Sequence, residues 1–184
     1  IITGQPLVTS VSSTTSNGAY NAGDTLLITV TFSENVTVTG TPQLTLETGT
    51  NDAVLNYLSG SGTGTLVFWY IVASGHSSAD LAYVSITALA LTGSNTKIQD
   101  NLVNDGVLTL PAPGANNSLK ANKALVIDTE APTAGTVNDG SGTDVAYSSS
   151  HTSLTANWTG FIRCGERTDR RRRKHITKME KEMV

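Results

Sequence analysis

Thr25-Leu26-Leu27-Ile28-Thr29-Val30-Thr31-Phe32 decides the fold, because its apolar residues keep to a period of two. Leu26, Ile28, Val30 and Phe32 fall on one face of an extended chain, while Thr25, Leu27, Thr29 and Thr31 fall on the other. Successive side chains on a pleated backbone point to opposite sides, so the pattern predicts a half-buried β-strand. The same signal recurs outward from it with turn residues between. Residues 7–12 come before the Asn17-Gly18 turn, and residues 43–48 place Leu44 and Leu46 inward. Residues 53–58 then run into Ser59-Gly60-Ser61-Gly62-Thr63-Gly64, a glycine-rich turn that predicts a hairpin.

The partner strand of that hairpin, residues 65–73, is apolar on both sides. Leu66, Phe68, Tyr70 and Val72 share one face, and Val67, Trp69 and Ile71 share the other. The commoner arrangement is a neighbouring loop covering the second face; the alternative is a patch open to a partner. Further strands are predicted at 84–91, 107–110 and 124–128, and the polar stretch 76–81 has room for one helical turn. Many short strands separated by turns predict an all-β antiparallel β-sandwich. Its expected core is Leu26, Ile28, Val30, Phe32, Leu44, Leu46, Leu66, Phe68 and Tyr70.

Composition agrees. The 184 residues are 38% hydrophobic, enough for a sandwich core when the apolar residues alternate, and five prolines are too few for a proline-rich stalk. Residues 1–162 carry only Lys97, Lys120 and Lys123 against eleven carboxylates, a net charge of −8. The last 22 residues reverse it, with nine basic and four acidic side chains, a net +5. An acidic body presents no broad positive surface, so no nucleic-acid partner is expected for it. The single cysteine, Cys164, lies beyond that body, which therefore has no disulfide. The longest apolar run, residues 66–73, is too short to cross a bilayer, so no membrane span is expected. The chain begins at Ile1 rather than Met, so any signal peptide is expected to lie upstream or to have been removed.

An ordered series of short motifs carries a resemblance over residues 5–130. It comprises Gly23-Asp24-Thr25, Thr31-Phe32-Ser33-Glu34-Asn35-Val36-Thr37-Val38, Thr41-Pro42-Gln43-Leu44, Tyr57-Leu58-Ser59-Gly60-Ser61-Gly62-Thr63, Ala79-Asp80-Leu81, Ile98-Gln99-Asp100 and Ile127-Asp128-Thr129. Together these resemble a bacterial immunoglobulin-like repeat of the kind found in tandem in large surface and adhesin-type proteins. The resemblance implies an immunoglobulin-like antiparallel sandwich of seven or more strands, outside the cell, acting as a stalk or adhesion module. Its implied partners are neighbouring repeats of the same polypeptide and a cell-surface glycan or protein. A body without cysteine fits a bacterial exported protein that avoids disulfides. The resemblance brings no catalytic residues with it.

Ile127-Asp128-Thr129-Glu130-Ala131-Pro132-Thr133 reads as the end of this domain. Pro132 has no N–H for a ladder and holds Ala131 extended, which makes a stiff acidic joint. Beyond it, Val137-Asn138-Asp139-Gly140 reads as a turn, and Thr152-Ser153-Leu154-Thr155-Ala156-Asn157-Trp158 resembles an early strand of a fibronectin type III domain. That pattern stops at residue 162, so residues 131–162 are expected to be an incomplete module. In the tail, residues 163–184, Arg170 to Lys174 have the charge density of a nucleic-acid patch or a nuclear-import signal, and Ile176, Met179 and Met183 have helical spacing. Arginine and cysteine are absent from the preceding 162 residues, so the tail is expected to be foreign to the fold and flexible or partly helical.

Few residues offer chemistry. Calcium is the one metal to weigh, since hard cations need several oxygens and loop carboxylates near a domain joint can converge on one ion. The candidates are Asp128 and Glu130 at the joint and Asp100 and Asp105 in the loop Asp100-Asn101-Leu102-Val103-Asn104-Asp105-Gly106, with Asp24 a further loop carboxylate. The plainer role for all of them is turn formation. His76, His151 and His175 have no paired spacing, so no enzyme is expected. Trp69 and Tyr70 are adjacent and must point to opposite faces, so they cannot form one sugar platform together. Three sequons, at Asn35, Asn116 and Asn157, occur at the rate such a composition produces by chance.

The sequence therefore predicts a non-catalytic structural module that contributes to adhesion. A carbohydrate- or protein-binding module using Val67, Trp69 and Ile71 or the loop carboxylates, or an accessory domain of an extracellular hydrolase, is the alternative. Exposure of Trp69 separates binding from pure spacing.

Overall fold

The computed structural model describes residues 4–134, 136–138 and 157–159, and the chain divides into two compact units, Ile1–Glu130 and Ala131–Val184. The first unit is all-β and sandwich-like, with a single short helix among the described residues. Its elements are β1 (Val8–Ser13), β2 (Gly18–Tyr20), β3 (Thr25–Thr39), β4 (Gln43–Glu47), β5 (Ala53–Ser59), β6 (Thr63–Ile71), β7 (Ser77–Ser78), β8 (Ala82–Tyr83), β9 (Leu89–Ala90), β10 (Lys97–Gln99), α1 (Leu119–Asn122) and β11 (Leu125–Asp128). The larger sheet runs β1-β3-β6-β5-β4-β8, with β10 added to β3 and β9 to β4, all antiparallel. The smaller sheet runs β2-β11-β7, and its β2 and β11 are parallel.

The period-two strand is the axis of this body. Leu26, Ile28 and Val30 of β3 stand opposite Tyr70, Phe68 and Leu66 of β6, so the two inward rows meet in register. All nine side chains expected in the core are buried, none more than 4% exposed. Burial of a leucine, isoleucine or phenylalanine side chain contributes roughly 1.5–3 kcal/mol, and these two rows supply much of the driving force. Leu125 and Ile127 of the smaller sheet, with Leu119 of α1, join the same core.

β3 is longer than the predicted eight residues. It passes through polar Ser33-Glu34-Asn35 with a register shift against β6 between Thr31 and Val36, and then pairs with β10 through Thr37, Val38 and Thr39. Glu34 interrupts the apolar row, but burial keeps alternating and Val36 returns to the core.

Two predicted strands are corrected. Residues 84–91 are interrupted because the Ser85 hydroxyl accepts the Thr87 N–H at 3.2 Å and the Ser85 carbonyl accepts the Ala88 N–H at 3.1 Å. A serine that binds nearby backbone competes with a ladder, so only the flanking β8 and β9 pair with β4. In 107–110 only Val107 makes a bridge, to Leu7, while Leu110 plugs the core.

The stretch expected to hold a helical turn, 76–81, instead supplies β7. The helix present, α1, is capped by Ser118, whose hydroxyl accepts the Ala121 N–H at 3.3 Å. In the second unit β12 (Thr136–Asn138) pairs antiparallel with β13 (Asn157–Thr159), with Val137 opposite Trp158. Val137 and Asn138 are thus strand, where a turn was expected. The tail, His151, Cys164 and His175 lie outside the described residues.

Candidate binding face around Trp69

Alternation along β6 sends Leu66, Phe68 and Tyr70 into the core and leaves Val67, Trp69 and Ile71 on the outer face. Among the described residues no loop covers that face. Trp69 and Ile71 are each 47% exposed, and Val67 is half-buried. The covering-loop expectation therefore gives way to the open patch. Adjacent Trp69 and Tyr70 do lie on opposite faces, with Tyr70 only 2% exposed.

Strand register places polar neighbours beside the indole. Trp69 stands opposite Leu27 of β3 on one side and Asn56 of β5 on the other, and Asn56 stands opposite Gln43 of β4. Leu27, Trp69, Asn56 and Gln43 thus form one row across four strands. The row is tied at its end, where Gln43 Nε2 donates to Asn56 Oδ1 at 2.9 Å.

Past this row the sheet opens. The ladder between β5 and β6 ends at Asn56 and Trp69; beyond it Ala53, Val54 and Leu55 keep only their β4 partners, and Tyr70 and Ile71 only their β3 partners. The divergence leaves a cleft of about 570 Å³ lined by Asp52, Val54, Leu58, Trp69, Ile71 and His76 among others. Val54 and Leu58 are exposed beside it, so four large apolar side chains ring the opening.

His76 fixes the far wall. Its Nδ1 lies 2.9 Å from the Tyr70 hydroxyl and 3.3 Å from the Ala73 N–H, and the two rings stack with centroids 5.8 Å apart. A backbone N–H can only donate, which makes Nδ1 the acceptor and the Tyr70 hydroxyl a second donor. Burial pushes the Tyr70 phenol up to about 12, so it keeps its proton at neutral pH. The His76 carbonyl accepts the Thr129 hydroxyl at 2.9 Å, and Thr129 Oγ1 accepts the Gly75 N–H at 3.0 Å. The wall is thereby fastened to the chain just past β11. His76→Ala strands the buried Tyr70 hydroxyl and is expected to cost about 1–3 kcal/mol, measured by urea unfolding.

The loop carboxylates serve their own turns. Asp100 is buried and accepts the Leu102 N–H at 2.8 Å, the Asn104 N–H at 2.8 Å and Asn104 Nδ2 at 2.7 Å. These bonds hold a loop in which Val103 takes a left-handed φ of 68°, costly for a β-branched residue. Asp105 Oδ1 accepts Gln99 Nε2 at 2.8 Å, Asp128 Oδ1 accepts the Glu130 N–H at 3.1 Å, and Asp24 Oδ2 accepts the Asn21 N–H at 2.8 Å. Among the described residues no three His, Cys, Asp or Glu side chains gather as a metal would need.

Burial of Asp100 works to raise its pKa, but the hydrogen bonds from Asn104 and Leu102 outweigh it and hold the carboxyl below the ordinary 3.8. A depressed folded-state value means stability that is full above the unfolded pKa and is lost as pH falls through the folded one. Lowering the pH from 7 to 3 is therefore expected to shift the urea midpoint less in Asp100→Asn than in the wild type.

No family model, curated protein or solved structure matches this chain. The reading of the site therefore rests on its own geometry. Among the described residues no helix is long and apolar enough to cross a membrane. Val67, Trp69 and Ile71 stand out in the sequence as the second apolar face of one strand. Asn56, Gln43 and Val54 join them only through cross-strand register, which a single sequence does not display. Outward alternation of Val54, Asn56 and Leu58 was the available hint.

Proposed function

We propose that the first unit is a non-catalytic, immunoglobulin-like repeat module of a bacterial surface or secreted multidomain protein, and that it contributes to adhesion through the outer face of β6. The observation that carries this reading is the exposure of Trp69 and Ile71 on a strand whose inward residues, Leu66, Phe68 and Tyr70, are buried in the core. A pure spacer has no use for an open indole at the centre of its largest sheet, whereas contact surfaces concentrate aromatic residues. The cysteine-free acidic body and the motif series support the extracellular bacterial setting, with neighbouring repeats as the partners along the polypeptide.

Beads carrying the full chain test this on surfaces coated with polysaccharide, with matrix protein or with neither. Attachment to a coated surface is expected, together with its loss in Trp69→Ala. Because about half of the indole is buried against the sheet, that variant should lose about 2 kcal/mol of stability, and a circular dichroism melt checks that it is folded under the assay conditions. Wild-type beads that attach to nothing, or attachment indifferent to Trp69, would leave a spacer alone.

A further inference from the structure

The row Leu27, Trp69, Asn56 and Gln43 contains one flat aromatic face, two side-chain amides and no charged group. The nearest charge lining the cleft is the Asp52 carboxylate, and residues 1–162 carry a net −8. Resting on the binding-face reading above, we infer that the face takes a neutral saccharide, its sugar ring lying against the Trp69 indole and its hydroxyls meeting Asn56, Gln43 and Asp52.

The chemistry on both sides fits. A pyranose presents an apolar C–H face and a rim of hydroxyls that each donate and accept. The indole supplies an exposed, flat apolar surface for the first. The amides supply the second: with Gln43 Nε2 donating to Asn56 Oδ1, the Asn56 amide N–H groups and Gln43 Oε1 remain for a ligand. Asn56 is exposed, and the row is built on four paired strands, so little ordering is needed on binding.

Charge and burial select against other occupants. Anionic ligands meet an acidic body and a carboxylate at the cleft. A second copy of the chain brings a like-charged body to the same face. An apolar peptide lying over Trp69 would also cover Asn56 and Gln43, and each amide group buried without a partner costs about 1–3 kcal/mol. A sugar satisfies those groups instead.

The test is calorimetry and affinity electrophoresis of the full chain against hexasaccharides of cellulose, xylan, chitin and mannan, with sialyllactose as the anionic comparison. At least one neutral hexasaccharide is expected to bind and sialyllactose to fail. Trp69→Ala should weaken that binding about 30-fold, the size of a hot-spot loss, and Asn56→Ala several-fold. Leu102→Ala, an exposed apolar change in a different loop, should leave it unchanged. Circular dichroism melts confirm that each variant is folded. Failure of every neutral sugar, or binding that survives Trp69→Ala, overturns the inference. If sugars fail but Trp69-dependent self-association or attachment to a protein-coated surface is found, the saccharide falls and the binding face stands; if those fail as well, both fall.

Discussion

Phe68→Ala is expected to lower the unfolding free energy of the first unit by about 3–5 kcal/mol. Phe68 has no exposed surface, stands opposite Ile28 across the β3–β6 ladder and Tyr57 across the β5–β6 ladder, and meets the Tyr57 ring edge-on at 6.2 Å. Alanine there removes the apolar area and leaves a cavity at the junction of three strands, where backbone ladders on both sides limit collapse. A domain of this size is stable by only about 5–15 kcal/mol, so the loss is a large fraction of the total and should lower the urea midpoint markedly. Urea unfolding followed by circular dichroism measures it. A loss under about 1.5 kcal/mol would mean that the β3–β6 interface is not the core.

Gly60→Ala carries the next largest effect, an expected loss of at least about 2 kcal/mol. Gly60 lies between β5 and β6 with φ at 108°, and a Cβ built on it would come within 2.1 Å of the Thr65 carbonyl oxygen. That obstacle is backbone, so no rotamer relieves it. The turn has to move, and with it the bonds from the Ser61 N–H to the Tyr57 hydroxyl at 2.8 Å and from the Thr63 hydroxyl to the Gly60 carbonyl at 2.8 Å. The neighbouring Gly62→Ala gives a useful contrast, since its φ of 85° is also left-handed but nothing lies within 4 Å of an added Cβ. Gly60→Ala should therefore cost more than Gly62→Ala in the same denaturation assay, and equal losses would locate the strain in backbone angle alone.

Both effects were partly legible in the sequence. Alternation in 25–32 and 65–73 identified the inward rows, because burial on one face of a sheet writes a period of two into the chain. The hairpin glycines announced their turn through composition. Elements of two or three residues, such as β2, β7 and β10, are too short for a period and form only because longer strands offer them an edge. The interruption at Ser85 was hidden for a different reason: a single hydroxyl to backbone contact outcompetes strand propensity without altering the hydrophobic pattern.

The site follows the same division. The second apolar face of β6 was plain, but whether it was covered depended on where loops from other parts of the chain lie, and register alone brought Asn56 and Gln43 beside Trp69. Asp100 shows the converse. Its carboxylate was read as a candidate metal ligand from its loop, and three N–H donors from within that loop occupy it.

A binding face on β6 requires Trp69 to stand open to solvent in the folded protein. The chain has two tryptophans, so Trp158→Phe leaves Trp69 as the single indole emitter. Acrylamide quenching of that variant under native conditions tests the claim most directly. A solvent-shifted emission, quenched at a substantial fraction of the rate seen after unfolding, is the predicted result; a blue-shifted emission that acrylamide barely reaches would show the face covered and contradict the account.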